Sequence, residues 1–216
     1  GGYKGMANTN RTLAELRAAI IEDMKLNPGL ITDTERNRFI NRALLDLSDM
    51  QLFEKEVTLG YTDGVITLPD DFMSVVYVLG SNGAYLKAMP LNTPPATGNT
   101  PVGYIQKPAT IELWPKPSGE GTVKMSYIYR LPQLTSDEER PDLPNGYDDL
   151  LIDFAVALCH RKNGNMGIYR EYMGTYNLTK ESLRMELTRK LNTRIIQMQN
   201  SESIPAPYTP FGHLLS

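Results

Sequence analysis

Apolar residues recur every three to four positions in four segments of the chain, which is the spacing of amphipathic helices. The first two segments each open on a Thr-x-x-Glu capping box, made by Thr12 with Glu15 and by Thr32 with Glu35. Short amphipathic helices are marginal alone, so these four must pack on one another. The four predicted helices cover residues 12–26, 33–50, 147–163 and 166–199.

Between the second and third helices the hydrophobic period changes to two, which is typical of half-buried strands. A hairpin is predicted around Tyr61-Thr62-Asp63-Gly64, a second turn at Asn82-Gly83, and a loop in the proline-rich stretch 90–101. We expect six or seven antiparallel strands here. The pattern therefore predicts an α+β fold, in which the N- and C-terminal helices form one bundle and an antiparallel β domain is inserted between them.

The domain organisation follows from these boundaries. The first residues, ahead of and around Met6, are expected to be a disordered start or cloning residue. The predicted parts are 1–11 as that start, 12–53 with 146–200 as the helical bundle domain, 54–130 as the β domain, 131–145 as a linker and 201–216 as an extended tail.

Composition excludes several classes of protein. With 22 Lys and Arg against 25 Asp and Glu, the formal net charge is −3, whereas a general nucleic-acid binder is usually basic. No run of about 18 apolar residues is present, so no membrane partner is expected. The single cysteine, Cys159, cannot form an internal disulfide, and its place in an apolar helix face indicates a buried core residue.

Residue patterns for catalysis are nearly absent. His160 neighbours Cys159, but adjacent residues on a helix point about 100° apart and do not form a nucleophile–base pair. With His213 as the second histidine, there are too few ligands for a zinc site, and no glycine-rich loop precedes a helix as phosphate binding requires. We therefore expect no catalytic residue, no cofactor and no metal, and the chain is predicted not to be an enzyme.

Two stretches of like charge are candidates for contacts between copies. Residues 135–153 carry seven acidic residues against one arginine, and residues 180–194 of the last helix carry five basic residues against two glutamates. The simpler interpretation of each is a solvated loop or helix face. For the acidic stretch one alternative is a catalytic carboxylate pair or a metal site. For both stretches the alternative is that the two patches meet between copies in a ring. The candidate residues are Asp137, Glu138, Glu139 and Asp142 on the acidic side and Lys180, Arg184, Arg189, Lys190 and Arg194 on the basic side.

The tail combines prolines with large apolar side chains, so it cannot be helical and is too apolar for an ordinary solvated tail. We expect it to bind a groove on a partner protein or a neighbouring subunit, with packing on its own subunit as the alternative. The proposed anchors are Ile204, Tyr208, Phe211, Leu214 and Leu215.

An ordered set of segments resembles one family. Between the N-terminal helices and the third helix stand four motifs, and the third helix has the form Leu-Leu-Ile-Asp-Phe-Ala. The chain is similar, over residues 12 to about 199, to the head-to-tail adaptor (connector) proteins of tailed bacteriophages, the group that includes the tail tubular protein A type. The four motifs are Leu-Pro-Asp-Asp-Phe at 68–72, Ile-Glu-Leu-Trp-Pro-Lys-Pro at 111–117, Tyr-Ile-Tyr-Arg-Leu-Pro at 127–132 and Asp-Leu-Pro-Asn-Gly-Tyr at 142–147.

This resemblance implies a structural virion protein. Such adaptors form a ring, commonly of twelve copies, under the portal; they join head to tail and line the DNA channel. The implied partners are the portal protein, the next tail component (a nozzle or tail tube protein), copies of the chain itself, and genomic DNA passing without sequence-specific binding. The implied location is the head–tail junction of the virion, after assembly in the host cytoplasm. The alternatives are a sequence-tolerant nucleic-acid-binding module and a cell-wall hydrolase.

Overall fold

The structure, a computed structural model, describes residues 8–24 and 30–200, with side chains up to residue 193. These residues divide into two compact units. A helical unit consists of residues 8–24, 30–54 and 128–188, and a β unit consists of residues 55–127 with 189–200. The predicted α+β class, with helices from both ends of the chain around a β region, is confirmed.

Four α-helices lie within the described residues, close to the predicted bounds. Both predicted capping boxes are present: in each, the glutamate accepts a hydrogen bond from the threonine backbone N–H while its own N–H donates to the threonine Oγ1. The helices are α1 (Leu13–Met24), α2 (Asp33–Ser48), α3 (Asp149–Lys162) and α4 (Met166–Asn200).

The core of the helical unit lies around α3. Its buried residues lie on nearly every side of the helix, so α3 needs more than one neighbour. It packs against both α1 and α2, and the Phe154 ring meets the Tyr176 ring of α4 edge-on at 5.0 Å. The apolar stripes of α1 and α2 are buried as their spacing predicts.

α3 ends through a glycine in the left-handed conformation. Gly164 has φ of +78°, its N–H donates to the Arg161 carbonyl, and the next residue, Asn165, donates to the His160 carbonyl at 2.9 Å. This is the Schellman arrangement, which satisfies carbonyls that the end of a helix leaves unpaired. It reverses the chain so that α4 can begin two residues later.

The β unit is one seven-stranded sheet with the order β3-β7-β1-β2-β6-β5-β4. The Thr62↔Val65 pair and positive φ angles at Asp63 and Gly64 confirm the predicted hairpin. The strands are β1 (Glu54–Thr62), β2 (Val65–Thr67), β3 (Phe72–Leu79), β4 (Lys87–Ala88), β5 (Gly103–Gln106), β6 (Thr110–Trp114) and β7 (Glu120–Tyr129).

One strand pair corrects the prediction of a purely antiparallel domain. β4 runs parallel to β5, with Lys87 opposite Gly103. The proline-rich connection 89–102 is long enough to return the chain from the end of β4 to the same end of the sheet at which β4 began. β5 then starts beside the first residue of β4, and such a crossover produces a parallel pair. β4 is also short, because only Lys87–Ala88 pairs as a strand.

A single bridge joins the two ends of the strand order. Leu79 at the end of β3 pairs antiparallel with Tyr85, which lies just ahead of β4. The Gly80 N–H donates to the Ala84 carbonyl and the Leu86 N–H to the Val78 carbonyl, both at 2.8 Å. The sheet is therefore closed at one corner, and the rest of β3 remains an edge.

Replacing either of two glycines of the β unit by alanine distinguishes the free-energy cost of a steric clash from the cost of an unfavourable φ angle. Gly119→Ala meets no atom within 4 Å, so its positive φ (+80°) should cost about 1–2 kcal/mol. Gly64→Ala shares the positive φ (+70°), and its Cβ would also lie 2.8 Å from Pro117 Cδ. We expect it to cost at least about 1 kcal/mol more than Gly119→Ala in thermal unfolding. Equal losses would contradict the contact with Pro117.

Candidate functional site

The segment ahead of α1 is bound to the loop ahead of α3. The Leu13 and Ala14 N–H groups donate to the carbonyls of Glu139 and Asp137, at 2.9 and 3.2 Å. The buried Asn10 side chain donates to the Leu143 carbonyl at 2.8 Å. These bonds join residues far apart in sequence, and they give the first N–H groups of α1 their acceptors. The stretch 131–145, predicted as a linker, therefore packs within the helical unit.

The acidic candidates lie in this loop, and most have partners within the chain. Asp137 is 2.7 Å from the Arg17 guanidinium, and Asp142 accepts the Tyr129 hydroxyl at 2.6 Å. Glu139 accepts the N–H groups of Thr135 and Ser136, which holds the pKa of this exposed carboxyl below its usual value. Glu138 is exposed. Much of the negative charge here serves the fold of the loop itself.

The basic candidates lie along α4. The Lys180 ammonium is 2.5 Å from Asp46 of α2 and 5.8 Å from the centre of the Tyr176 ring, whose hydroxyl donates to the same carboxylate. Arg184 and Glu181 form a long, exposed pair at 3.5 Å. Lys180 therefore helps to hold α4 on α2, and Arg184 is the more accessible cation.

Arg189 and Lys190 are exposed on the same helix, whereas the side chain of Arg194 lies outside the described residues. Asp137, Asp142 and Lys180 contact Arg17, Tyr129 and Asp46 respectively, which belong to neither patch. The contact between the two patches in different copies stays a prediction, and Glu138, Arg184 and Arg189 are exposed members of them. The tail anchors Ile204, Tyr208, Phe211, Leu214 and Leu215 also lie outside the described residues.

The outward face of α4 is apolar at two positions spaced two turns apart. Leu178 is 77% exposed and Met185 is 62% exposed. On the same face, a Cβ added at Gly174 would meet none of the described residues beyond its own helix within 4 Å. Glycine inside a helix is about 1 kcal/mol less favourable than alanine, and no described neighbour requires it here. This face has room for a closely approaching partner.

One group with a shifted pKa was not identified from the sequence. Asp153 of α3 is half-buried, and burial, with the nearby charges of Asp149 and Asp23, raises its pKa to about 6. Asp23 of α1 and Asp153 of α3 also lie near Tyr172 of α4. Burial is the main cause of the raised pKa of the Tyr172 hydroxyl, and the charges of the two aspartates add to it. Asp23 and Asp153 are 130 residues apart, so only the packing of α1 on α3 could show their proximity.

The described residues offer little for catalysis. None of their His, Cys, Asp and Glu side chains group in threes as metal binding requires. Cys159 is fully buried, as predicted, and burial raises the pKa of its thiol to about 11. His160 is buried and stacks on the Tyr172 ring at 6.1 Å, which places it in the core. No helix in the described ranges is both long and apolar enough to cross a bilayer.

Comparison with known families adds the decisive observation. The family described as SU10 adaptor protein matches residues 11–202, which covers both described units. The chain belongs to the SU10 adaptor protein family. A comparison with curated proteins finds no match. The matched range corresponds closely to the one over which the motifs resemble phage adaptors.

Family membership confirms the resemblance to a phage adaptor. The chain is therefore a structural adaptor of the bacteriophage virion and takes part in tail assembly. As an adaptor, it interacts with other head and tail proteins of the phage. The assignment to the tail tubular protein A type stays a prediction, as does the absence of enzymatic activity.

Neutralising Asp153 should change the pH dependence of stability. The folded-state pKa lies above that of an unfolded aspartate, about 3.9, so the native state is penalised as pH rises from about 4 through about 6. Asp153→Asn removes this penalty. We expect its melting temperature to exceed that of the wild type by about 2–5 °C at pH 7.5.

The difference should shrink toward zero as the pH approaches 4, and scanning calorimetry across the range measures it. Asp70→Asn, which changes an exposed carboxylate of the β unit, is the matched control and should leave the pH profile unchanged. A gain for Asp153→Asn that is equal at every pH would contradict the role of its charge.

Proposed function

We propose that this adaptor forms a ring under the portal, joins the phage head to the next tail component and lines the channel through which DNA leaves. The observation that carries the proposal is the match to the SU10 adaptor family over residues 11–202. The ring is expected to hold twelve copies, as is common among the adaptors that the chain resembles. The proposed location is the head–tail junction, after assembly in the host cytoplasm.

The charge of the chain supports a conduit for DNA. The formal net charge is −3, and the cations Lys180 and Arg184 each have a carboxylate partner in the chain. Strong attachment to phosphate groups depends on clusters of cations free to replace counterions. A channel lined by such a protein would let the genome slide past without holding it, whereas a nucleic-acid-binding module would need a freer basic surface.

The balance of exposed charge also supports assembly on the portal rather than before it. Exposed ion pairs are worth little each, about 0–1 kcal/mol, and the apolar exposures of α4 are isolated. Stable interfaces usually bury a larger, more apolar area. The portal would therefore supply the additional contacts that close the ring.

Reversing one accessible cation should block assembly. We expect the wild type to sediment as a monomer or weak oligomer at micromolar concentration and as a ring when its portal is present. Arg184→Glu should lower ring occupancy on the portal at least about tenfold, because it places like charges between copies. Analytical ultracentrifugation with and without portal measures both states.

The matched partner variant is Glu138→Arg. Combined with Arg184→Glu in one chain, it restores opposite charges and should recover the ring, while Lys87→Glu, on the exposed β4 strand, should have no effect. A closed ring without portal, or full occupancy by the Arg184→Glu variant, would contradict this mode of assembly.

Removing the tail tests its proposed role in attachment. Deleting 201–216 should leave the melting temperature of the helical unit unchanged and abolish attachment to the portal, because large apolar side chains gain about 1.5–3 kcal/mol each from burial. Co-sedimentation with portal and a thermal melt are the two measurements. A variant in which Tyr208, Phe211, Leu214 and Leu215 are all changed to serine keeps the full length of the tail and serves as the control for the effect of shortening the chain. Full attachment of the truncated chain, or its unfolding, would contradict the proposal.

A further inference from the structure

The sheet of the β unit has two edges that are protected to very different degrees. β4 is only two residues long, contains Lys87 and is soon followed by Pro90, all of which discourage the pairing of another strand. β3 is eight residues long and contains no charged residue, proline or glycine. A long, uncharged edge of this kind is a template for an added strand.

The closing bridge shows which backbone groups of β3 point outward. The Val78 carbonyl and Gly80 N–H are directed to residues 84–86, away from β7. Because backbone groups alternate along a strand, those of Ser74 and Val76 point to the same side. Among the described residues, no strand pairs with β3 at these positions. Their N–H and C=O groups form an unoccupied ladder.

The side chains of β3 are also incompletely covered. Every residue from Phe72 to Tyr77 is half-buried, whichever face of the sheet its side chain occupies, whereas Val78 beside the closing bridge is fully buried. Coverage therefore improves where residues 84–86 lie alongside the strand. An additional strand at the open part would complete the burial on both faces.

We propose that this open edge binds residues 201–216 of a second copy of the chain as an added β-strand. The inference rests on the proposed ring and identifies one contact between its subunits. Strand addition needs an extended segment whose backbone donors face the edge and whose apolar side chains follow the alternation. The sequence at 204–209 has this form.

The prolines of the tail determine which side could pair. Pro205 and Pro207 have no N–H, and they share one side of an extended strand with Thr209. The opposite side carries the N–H groups of residues 204, 206 and 208, so a ladder through these three loses no donor. Pro210 lies on that pairing side and would end the ladder. Prolines are tolerated in an edge strand in this way, with their nitrogen turned away from the neighbour.

The length of the tail permits a neighbour to be reached. α4 extends to Asn200, and 16 residues follow it. An extended chain spans about 3.3 Å per residue, which gives roughly 50 Å for the whole tail. That is longer than the width of a small domain.

Thiol cross-linking between full-length copies tests the contact. One variant carries Ser74→Cys and the other Ala206→Cys, and the mixture is treated at high protein concentration with a short bis-maleimide. The native Cys159 is fully buried, so the wild type supplies the background. We expect a covalent dimer from the mixture, at least about tenfold above a control pair in which Ser118→Cys, an exposed turn position, replaces Ser74→Cys.

The double variant Ser74→Cys, Ala206→Cys should form linked oligomers. If it forms only internally closed monomers, or if the mixture gives no dimer above background, the docking to a second copy is overturned. Ring formation on the portal is measured separately, so a ring without this cross-link would overturn the strand addition and leave the adaptor function standing.

Backbone methylation tests the predicted side of the ladder. A fluorescent peptide of residues 201–216 is titrated into the full chain and followed by anisotropy. N-methylation at Ala206 and Tyr208 should weaken binding at least about tenfold, while N-methylation at Thr209, on the side of the prolines, should change it less than about twofold. Equal loss from both peptides would overturn the proposed pairing, and binding that neither alters would overturn strand addition.

Discussion

Helix α3 carries apolar side chains around nearly its whole circumference, and it therefore needs neighbours on every side. α1 and α2 come from the beginning of the chain and α4 from its end, so burial of α3 draws both ends together. The hydrogen bonds from residues 10–14 to the loop 137–143 fix that arrangement at one end. Residues 55–127 of the β unit are then an insertion whose two connections, near residues 54 and 128, leave the same helical unit.

The distribution of charge follows from this packing. Acidic side chains of the loop before α3 accept hydrogen bonds from backbone N–H groups and from a tyrosine hydroxyl. Lys180 forms an ion pair with Asp46 beside the Tyr176 ring. Some charged side chains that form like-charge stretches in the sequence therefore make contacts that stabilise the fold of their own chain. Glu138, Arg184 and Arg189 remain exposed, and exposed ion pairs are individually weak, which suits a protein that is proposed to assemble only when a larger partner is present.

Membership of the SU10 adaptor family agrees with a structural protein that acts through its contacts with other proteins. The helical unit is stabilised by its own core, with Leu16, Ile20 and Leu151 fully buried. The β unit is closed at one corner by Leu79 and Tyr85 and open along the rest of β3. In the proposed ring, that open edge binds the proline-spaced tail, because the edge offers backbone groups at Ser74 and Val76 and prolines favour an extended backbone.

The sequence by itself determined the helices, their capping boxes at Thr12 and Thr32, the 61–64 hairpin and the α+β class, because these depend on periodicity and on contacts between residues a few positions apart. The ordered motifs also sufficed to indicate the family. Tertiary structure alone decided the parallel pairing of β4 with β5, the approach of Asp23 to Asp153, and the partners of Lys180 and Asp137. Each joins residues distant in the chain, and local patterns carry no information about which distant residues meet.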